Sequence, residues 1–250
     1  MIEYNIETFH RQNIEKAKRQ AIEEFPSESV GIIVDHKYIP CTNIAGNKES
    51  EFKISPADIV KAYELGDVQA IVHSHNDHPH ASKTDMDRQI RSEVPWIIIN
   101  LKNGYVRQVF AWGDQLPIPE YKGRPFFMGV SDCFSLVRDY YRNELDITLP
   151  VWPREYGFWK KDDKAFENVV MDGLDEVGFK IVSTDPNDLQ LHDGILAKVN
   201  SSIINHTAVY IDQGLLLHHL CLHSNSLSNT APVNMYRNNV VCIVRHKTLC

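Results

Sequence analysis

The segment GDQLPIPEYKGRP between Gly113 and Pro125 holds three prolines and two glycines and shows neither helical nor strand periodicity. Proline has no backbone N–H and a fixed φ, and glycine weakens any regular element, so neither a helix nor a central strand runs through such a stretch. The 250 residues are therefore expected to fold as two units, residues 1–113 and 125–250, joined by a linker over 114–124. Each half is long enough to bury a core of its own.

Hydrophobic periodicity gives the two halves different patterns. In the first, Phe9, Ile14, Ala17, Ala21, Ile22 and Phe25 recur at three-to-four spacing and predict an amphipathic helix over Glu7 to Phe25 that Pro26 ends. Val30 to Val34 reads as a buried strand, Tyr38 to Ile44 as a second, and Val68 to Val72 as a third. Ser55-Pro56 opens a helix that Gly66 closes, Ser82 caps another, and Trp96–Leu101 with Tyr105–Trp112 form a hairpin around Lys102-Asn103-Gly104. This is a mixed α/β unit. Downstream, helices are expected over Cys133–Leu145 and Phe166–Val177. Short strands follow at Ile195–Val199, Thr207–Ile211, Leu215–Leu220 and Val240–Val244, an α+β order.

The composition, 43% hydrophobic and 24% charged, is that of a globular chain, and a net charge of −7 does not suit a surface that tracks nucleic-acid phosphates. No apolar run reaches the ~18 residues of a membrane span, and the opening MIEYNIETFHRQ lacks a secretory layout, so a soluble chain made in a cytoplasm is expected. Five widely spaced cysteines without a C-x-x-C pair argue against a disulfide framework or a cysteine zinc knuckle.

Four of the twelve histidines, His73, His75, His78 and His80, crowd into one short stretch after the third strand. Two histidines at i and i+2 on a strand end face one side, so His73 and His75 can reach one ion, and Asp85 at the start of the following helix can add an oxygen. Three protein ligands leave a position open for water, which is the layout of a catalytic zinc site. Glu28, just before the buried strand, is the candidate carboxylate to take that water's proton. His78 and His80 are read as solvated loop residues.

H-S-H, six residues, S-x-x-D, with E-S-V-G-I-I upstream, resembles the motif of JAMM (MPN-type) metallopeptidases, except that Asn76 stands where a proline often follows the second histidine. The resemblance implies a cytidine-deaminase-like N-terminal fold and Zn²⁺ on His73, His75 and Asp85. It further implies Glu28 as general acid/base and Ser82 as a hydrogen-bond donor to the oxyanion.

In the second half, Cys133 in SDCFSLV opens the expected helix, where the positive N-terminal potential is expected to lower the thiol's pKa. His206 begins one strand and His218 ends the next; a hairpin turning at Asp212-Gln213-Gly214 makes them neighbours, one to pair with the thiol and one to orient its partner. His219 and His223 compete with His218 for the orienting role. Cys41, Cys221, Cys242 and Cys250 are read as packing or exposed thiols.

D-C-F-S-L-V, L-H-D-G-I-L and H-T-A-V-Y-I, with twelve residues from His206 to His218, resemble the NlpC-type cysteine peptidases, papain-like enzymes that cut peptide stems of bacterial cell walls. Phe134-Ser135 and His192-Asp193-Gly194 depart from the family's Ser-Gly and Pro-Gly-Asp. The resemblance implies Cys133 as nucleophile, His206 as base, His218 as orienter, and Tyr121, twelve residues before Cys133, as a tyrosine contacting the site. The direct fusion of the two domain types resembles the two-domain tail-tip proteins of lambda-like siphophages. That implies a virion component made in the host cytoplasm and acting at the periplasm. Its partners would be other tail-tip proteins and bacterial peptidoglycan. The alternative is a structural or assembly-chaperone protein whose peptidase folds are latent.

Overall fold

The computed structural model describes residues 1–154, 156–161, 170–221 and 226–250. It divides into two compact units, Met1–Pro119 and Glu120–Cys250. Much of the expected linker is held by one unit or the other. Leu116 is buried in the first unit's core, and Gly123 and Arg124 hydrogen-bond to Ser228 in the second.

In the first unit, β1 (Ile2–Tyr4), β2 (Val30–Val34), β3 (Lys37–Cys41), β4 (Val68–Asn76), β5 (Trp96–Lys102) and β6 (Tyr105–Trp112) form a sheet in the order β1-β6-β5-β4-β2-β3. β1 was not foreseen, because three residues carry no periodicity; it pairs parallel to β6. The β5–β6 turn follows the Asn-Gly signal, with Asn103 at φ 53° and Gly104 at φ 77°. Helix α1 (Arg11–Glu24) lays Ile14, Ala17 and Ala21 on one sheet face, against Ala70, Val72, Ile97, Ile99 and Val109. Strand alternation then fixes the opposite face: on β4 it carries Ile71, His73 and His75. Helix α2 (Pro56–Leu65) contacts β2, and α3 (Lys83–Ser92) follows the histidine stretch. β4 continues through both histidines to Asn76, past the expected end at Val72.

In the second unit, helix α4 (Cys133–Leu145) precedes β7 (Phe179–Ser183), β8 (Gly194–Ala197), β9 (His206–Tyr210), β10 (Leu215–His218), β11 (Asn229–Pro232) and β12 (Val240–His246), which form a sheet in the order β11-β10-β9-β8-β12-β7 with every neighbouring pair antiparallel. Leu136, Val137, Tyr140 and Tyr141 of α4 pack on Leu196, Val209, Leu217 and Val244. The reverse face buries Ile195, Ala208, Leu216 and Tyr236. The helix expected over 166–177 falls partly outside the described residues, and 173–178 form turns before β7.

Candidate active sites

Asp85 reaches the histidine face of the first sheet because it is the N3 residue of α3. The Ser82 hydroxyl accepts from the Asp85 N–H at 3.1 Å, the Ser82 N–H donates to Asp85 Oδ2 at 2.8 Å, and this capping box aims the carboxylate back past the helix start. His73 Nε2 lies 3.0 Å from His75 Nε2 and 3.4 Å from Asp85 Oδ1, and His75 Nε2 lies 3.2 Å from Asp85 Oδ2. Ligand atoms around a tetrahedral zinc at 2.0–2.1 Å stand about 3.3 Å apart, so the three donors fit such an ion. The outer ring nitrogens of the two histidines differ. His75 Nδ1 must carry its proton to donate to the His80 carbonyl at 3.1 Å, which leaves the Nε2 lone pair for a metal. His73 Nδ1 has no hydrogen-bond partner among the described residues; Phe52 lies over its ring at 4.4 Å between centroids.

Glu28 arrives by register. β2 and β4 are antiparallel with Val30 opposite His73, and the Ser29–Ser74 bonds carry the alignment one step beyond the ladder. The next step sets Glu28 opposite His75, on the same face. Burial pushes the Glu28 carboxyl up to about 7, with Asp85 and Glu51 adding to the rise and His75 opposing it. Ser82 differs from the expectation. Its hydroxyl proton goes to Asp85 Oδ2 at 2.6 Å, so the group serves the helix cap and the carboxylate rather than standing as a separate donor. His78 is exposed, whereas His80 is buried, its carbonyl accepting from both His75 and His78.

In the second unit, β9 and β10 do form the hairpin, turning through Asp212, Gln213 and Gly214 at φ 84°, 52° and 72°. His218 faces Ala208 across the ladder, so His206 is its diagonal neighbour on one face, with ring centroids 5.6 Å apart. Tyr236 completes the group: its ring stacks on His206 at 5.5 Å, and its hydroxyl meets His218 Nδ1 at 3.0 Å. Cys133 is the first residue of α4 and lines, with His206 and His219, a cavity of about 590 Å³. The NlpC/P60 family model matches residues 107–246, more than half of the chain. The tail tip assembly protein K of Escherichia phage N15 is 30% identical over 95% of this chain and 95% of its own length. That of Escherichia phage lambda is 32% identical over 67% of this chain and 77% of its own. The chain belongs to the NlpC/P60 family, among the tail tip assembly proteins K. An NLP/P60 family lipoprotein of Staphylococcus aureus aligns at 18% identity with a TM-score of 0.33, over 50% of this chain and 37% of its own.

Two expectations for the NlpC/P60 domain are corrected. Tyr121 is not beside Cys133. Its hydroxyl donates to Glu144 in the last turn of α4 at 2.7 Å, eleven residues and roughly 16 Å of helix from the thiol. Sequence distance from Cys133 says nothing of the direction in which the chain runs. The thiol is also not lowered by the helix end. Burial and the Asp132 carboxylate push Cys133 up to about 12, against the smaller opposing pulls of Arg154 and the Thr207 and Phe134 backbones. The cap responsible is Asp132, which accepts from the N–H of Ser135 at 3.0 Å and of Gly129 at 2.7 Å and pairs with the Arg154 guanidinium. Neither Arg154 nor Tyr236 was legible beforehand, since each lies far along the chain from its partner with no local signature. His223 lies outside the described residues.

Burial also drives down His206, to about 3, and His219, to about 4; His218 and His246 move the same way. A histidine that stays neutral when folded is protonated more readily when unfolded, so the unfolded state binds more protons between the folded values and about 6.5, and stability rises with pH across that window. His206 and His219 each contribute a slope of up to about 1.4 kcal/mol per pH unit within that window. Hydrogen exchange of peptides covering β9 and β10 is therefore expected to accelerate as pH drops from 6.5 to 4.5, after correction for intrinsic rates. His206→Asn is expected to flatten the dependence, and an equally steep profile in that variant would contradict the assignment.

Proposed function

We propose that the chain is a phage tail-tip assembly protein with two hydrolase sites: a cysteine endopeptidase that cuts the peptide stems of bacterial cell wall during infection, and a zinc-dependent peptidase of the JAMM type in the first unit. The observation that carries this reading is the meeting of Cys133 and His206 at one cavity, with His218 beside His206, in an NlpC/P60 chain whose relatives are tail tip assembly proteins. Its partners are then other tail-tip proteins and peptidoglycan, and it travels in the virion to act at the host periplasm.

In the second unit, the Cys133 proton passes to neutral His206 as the sulfur attacks the amide carbonyl. His206 then returns the proton to the leaving amine as the C–N bond breaks, and water releases the acyl group from sulfur. His218, fixed by Tyr236, orients the imidazole. In the first unit, His73, His75 and Asp85 would hold zinc, and Glu28 would accept and return a proton. Zinc bound there supplies a Lewis acid and a water of lowered pKa.

Peptidoglycan digests read by mass spectrometry test both halves. Stem fragments are expected from the wild type, from Glu28→Ala and from an EDTA-treated sample, and not from Cys133→Ala. Metal analysis is expected to find one zinc per chain, kept in Glu28→Ala and lost in Asp85→Ala. Fragments that persist in Cys133→Ala would remove the cysteine assignment. The alternative is a structural or assembly-chaperone protein whose peptidase folds are latent. No fragments from folded, zinc-loaded wild type would select it.

A further inference from the structure

His219 has no place in the scheme above, yet its surroundings are those of a working group. It follows β10 directly, is 1% exposed, and lines the same cavity as Cys133 and His206. Neither of its ring nitrogens makes a hydrogen bond of good geometry among the described residues, the Ser226 backbone reaching it only as a weaker contact, and its ring meets the edge of Phe126 at 5.2 Å. The β9–β10 register, carried one residue on, sets His219 opposite Thr207, on the face that packs against α4. The Thr207 backbone is also in hydrogen-bonding contact with the Cys133 sulfur. The two imidazoles thus lie on opposite faces of one hairpin and line the cavity that Cys133 also lines. Leaving a buried polar group poorly paired carries a cost that an apolar residue packed on Phe126 would not incur. A metal does not explain it, because the grouping of three ligands found among the described residues is His73, His75 and Asp85.

We propose that His219 is a further catalytic residue, the side-chain donor that stabilises the oxyanion formed when Cys133 attacks an acyl carbonyl. This rests on the cysteine-hydrolase reading of the site. Burial keeps the ring neutral, so it carries one N–H to offer and no proton to lose to the thiol. Its partner donor is the backbone N–H of Cys133, the first residue of α4, where an amide has no acceptor within the helix. As the S–C bond forms, the thiol proton moves to His206 and the carbonyl π pair moves onto oxygen, where the His219 N–H meets it. When that pair returns, the leaving group departs and a thioester remains.

Two reagents separate this role from any effect on the thiol itself. Acylation of Cys133 by p-nitrophenyl acetate passes through an oxyanion; alkylation by iodoacetamide is a displacement at carbon and does not. With both rates followed on the Cys133 peptide by mass spectrometry, His219→Ala is expected to slow acylation about 10²–10³-fold and to leave alkylation and its pH profile unchanged. His219→Gln, which keeps an N–H, is expected to recover part of the acylation rate. Parallel loss of both rates would make His219 a base or a positioning residue and overturn the proposal, as would no loss in either. A wild type that reacts with p-nitrophenyl acetate but releases no wall fragments would end the cell-wall reading and leave this one standing.

Discussion

Replacing His206 by alanine is expected to lower the rate of stem cleavage by about 10⁴–10⁶, the range seen when the base of a nucleophile–base pair is removed. The size follows from the resting state of the site. With the thiol pushed up to about 12 by burial and Asp132, the thiolate at neutral pH is a minute fraction, and reaction depends on a neutral imidazole to take the proton. Iodoacetamide labelling of Cys133 should therefore fall steeply in the variant at pH 7 and converge on the wild-type rate as pH approaches 11, where hydroxide takes over. Equal labelling of the two proteins at pH 7 would show that the thiolate forms without His206.

Arg154→Ala should destabilise the second unit by about 3–5 kcal/mol, because it leaves Asp132 as an uncompensated buried charge. The two side chains are 4% and 1% exposed, and the guanidinium Nε also donates to Asp132 Oδ2 at 3.1 Å while the carboxylate caps α4. Water cannot replace the arginine there without opening the helix start. The midpoint of thermal unfolding of this unit should drop by roughly 10–20 °C, and the double variant Arg154→Met with Asp132→Asn should regain much of it. A loss below about 1 kcal/mol in the single variant would mean that solvent reaches the pair.

What could be read beforehand, and what could not, divides by the range of the interaction. His73 and His75 share a face because strands alternate, and Asp85 joins them because Ser82-x-x-Asp85 is a helix start; both are local facts. The pairing of His206 with His218 needed only a hairpin, announced by its turn residues. Glu28 depends on an antiparallel alignment between strands more than forty residues apart, which spacing alone does not fix. Tyr236 and Arg154 come from segments whose own sequence is unremarkable, and Tyr121 was misplaced because a count of residues carries no direction in space. The thiol's pKa was misjudged for a related reason. The positive end of α4 is a local property, whereas the desolvation of Cys133 and the pairing of its neighbour Asp132 with Arg154 depend on residues from elsewhere in the unit.

The turn between β9 and β10 sets a rule for how this domain can vary. Asp212, Gln213 and Gly214 all take left-handed backbone conformations, which ties the hairpin to one loop length. Because side chains alternate along a strand, one residue gained or lost there would exchange the faces of His218 and His219, sending the first toward α4 and the second toward Tyr236. A loop on the surface thus sets, through its length, which of two adjacent histidines stands beside His206.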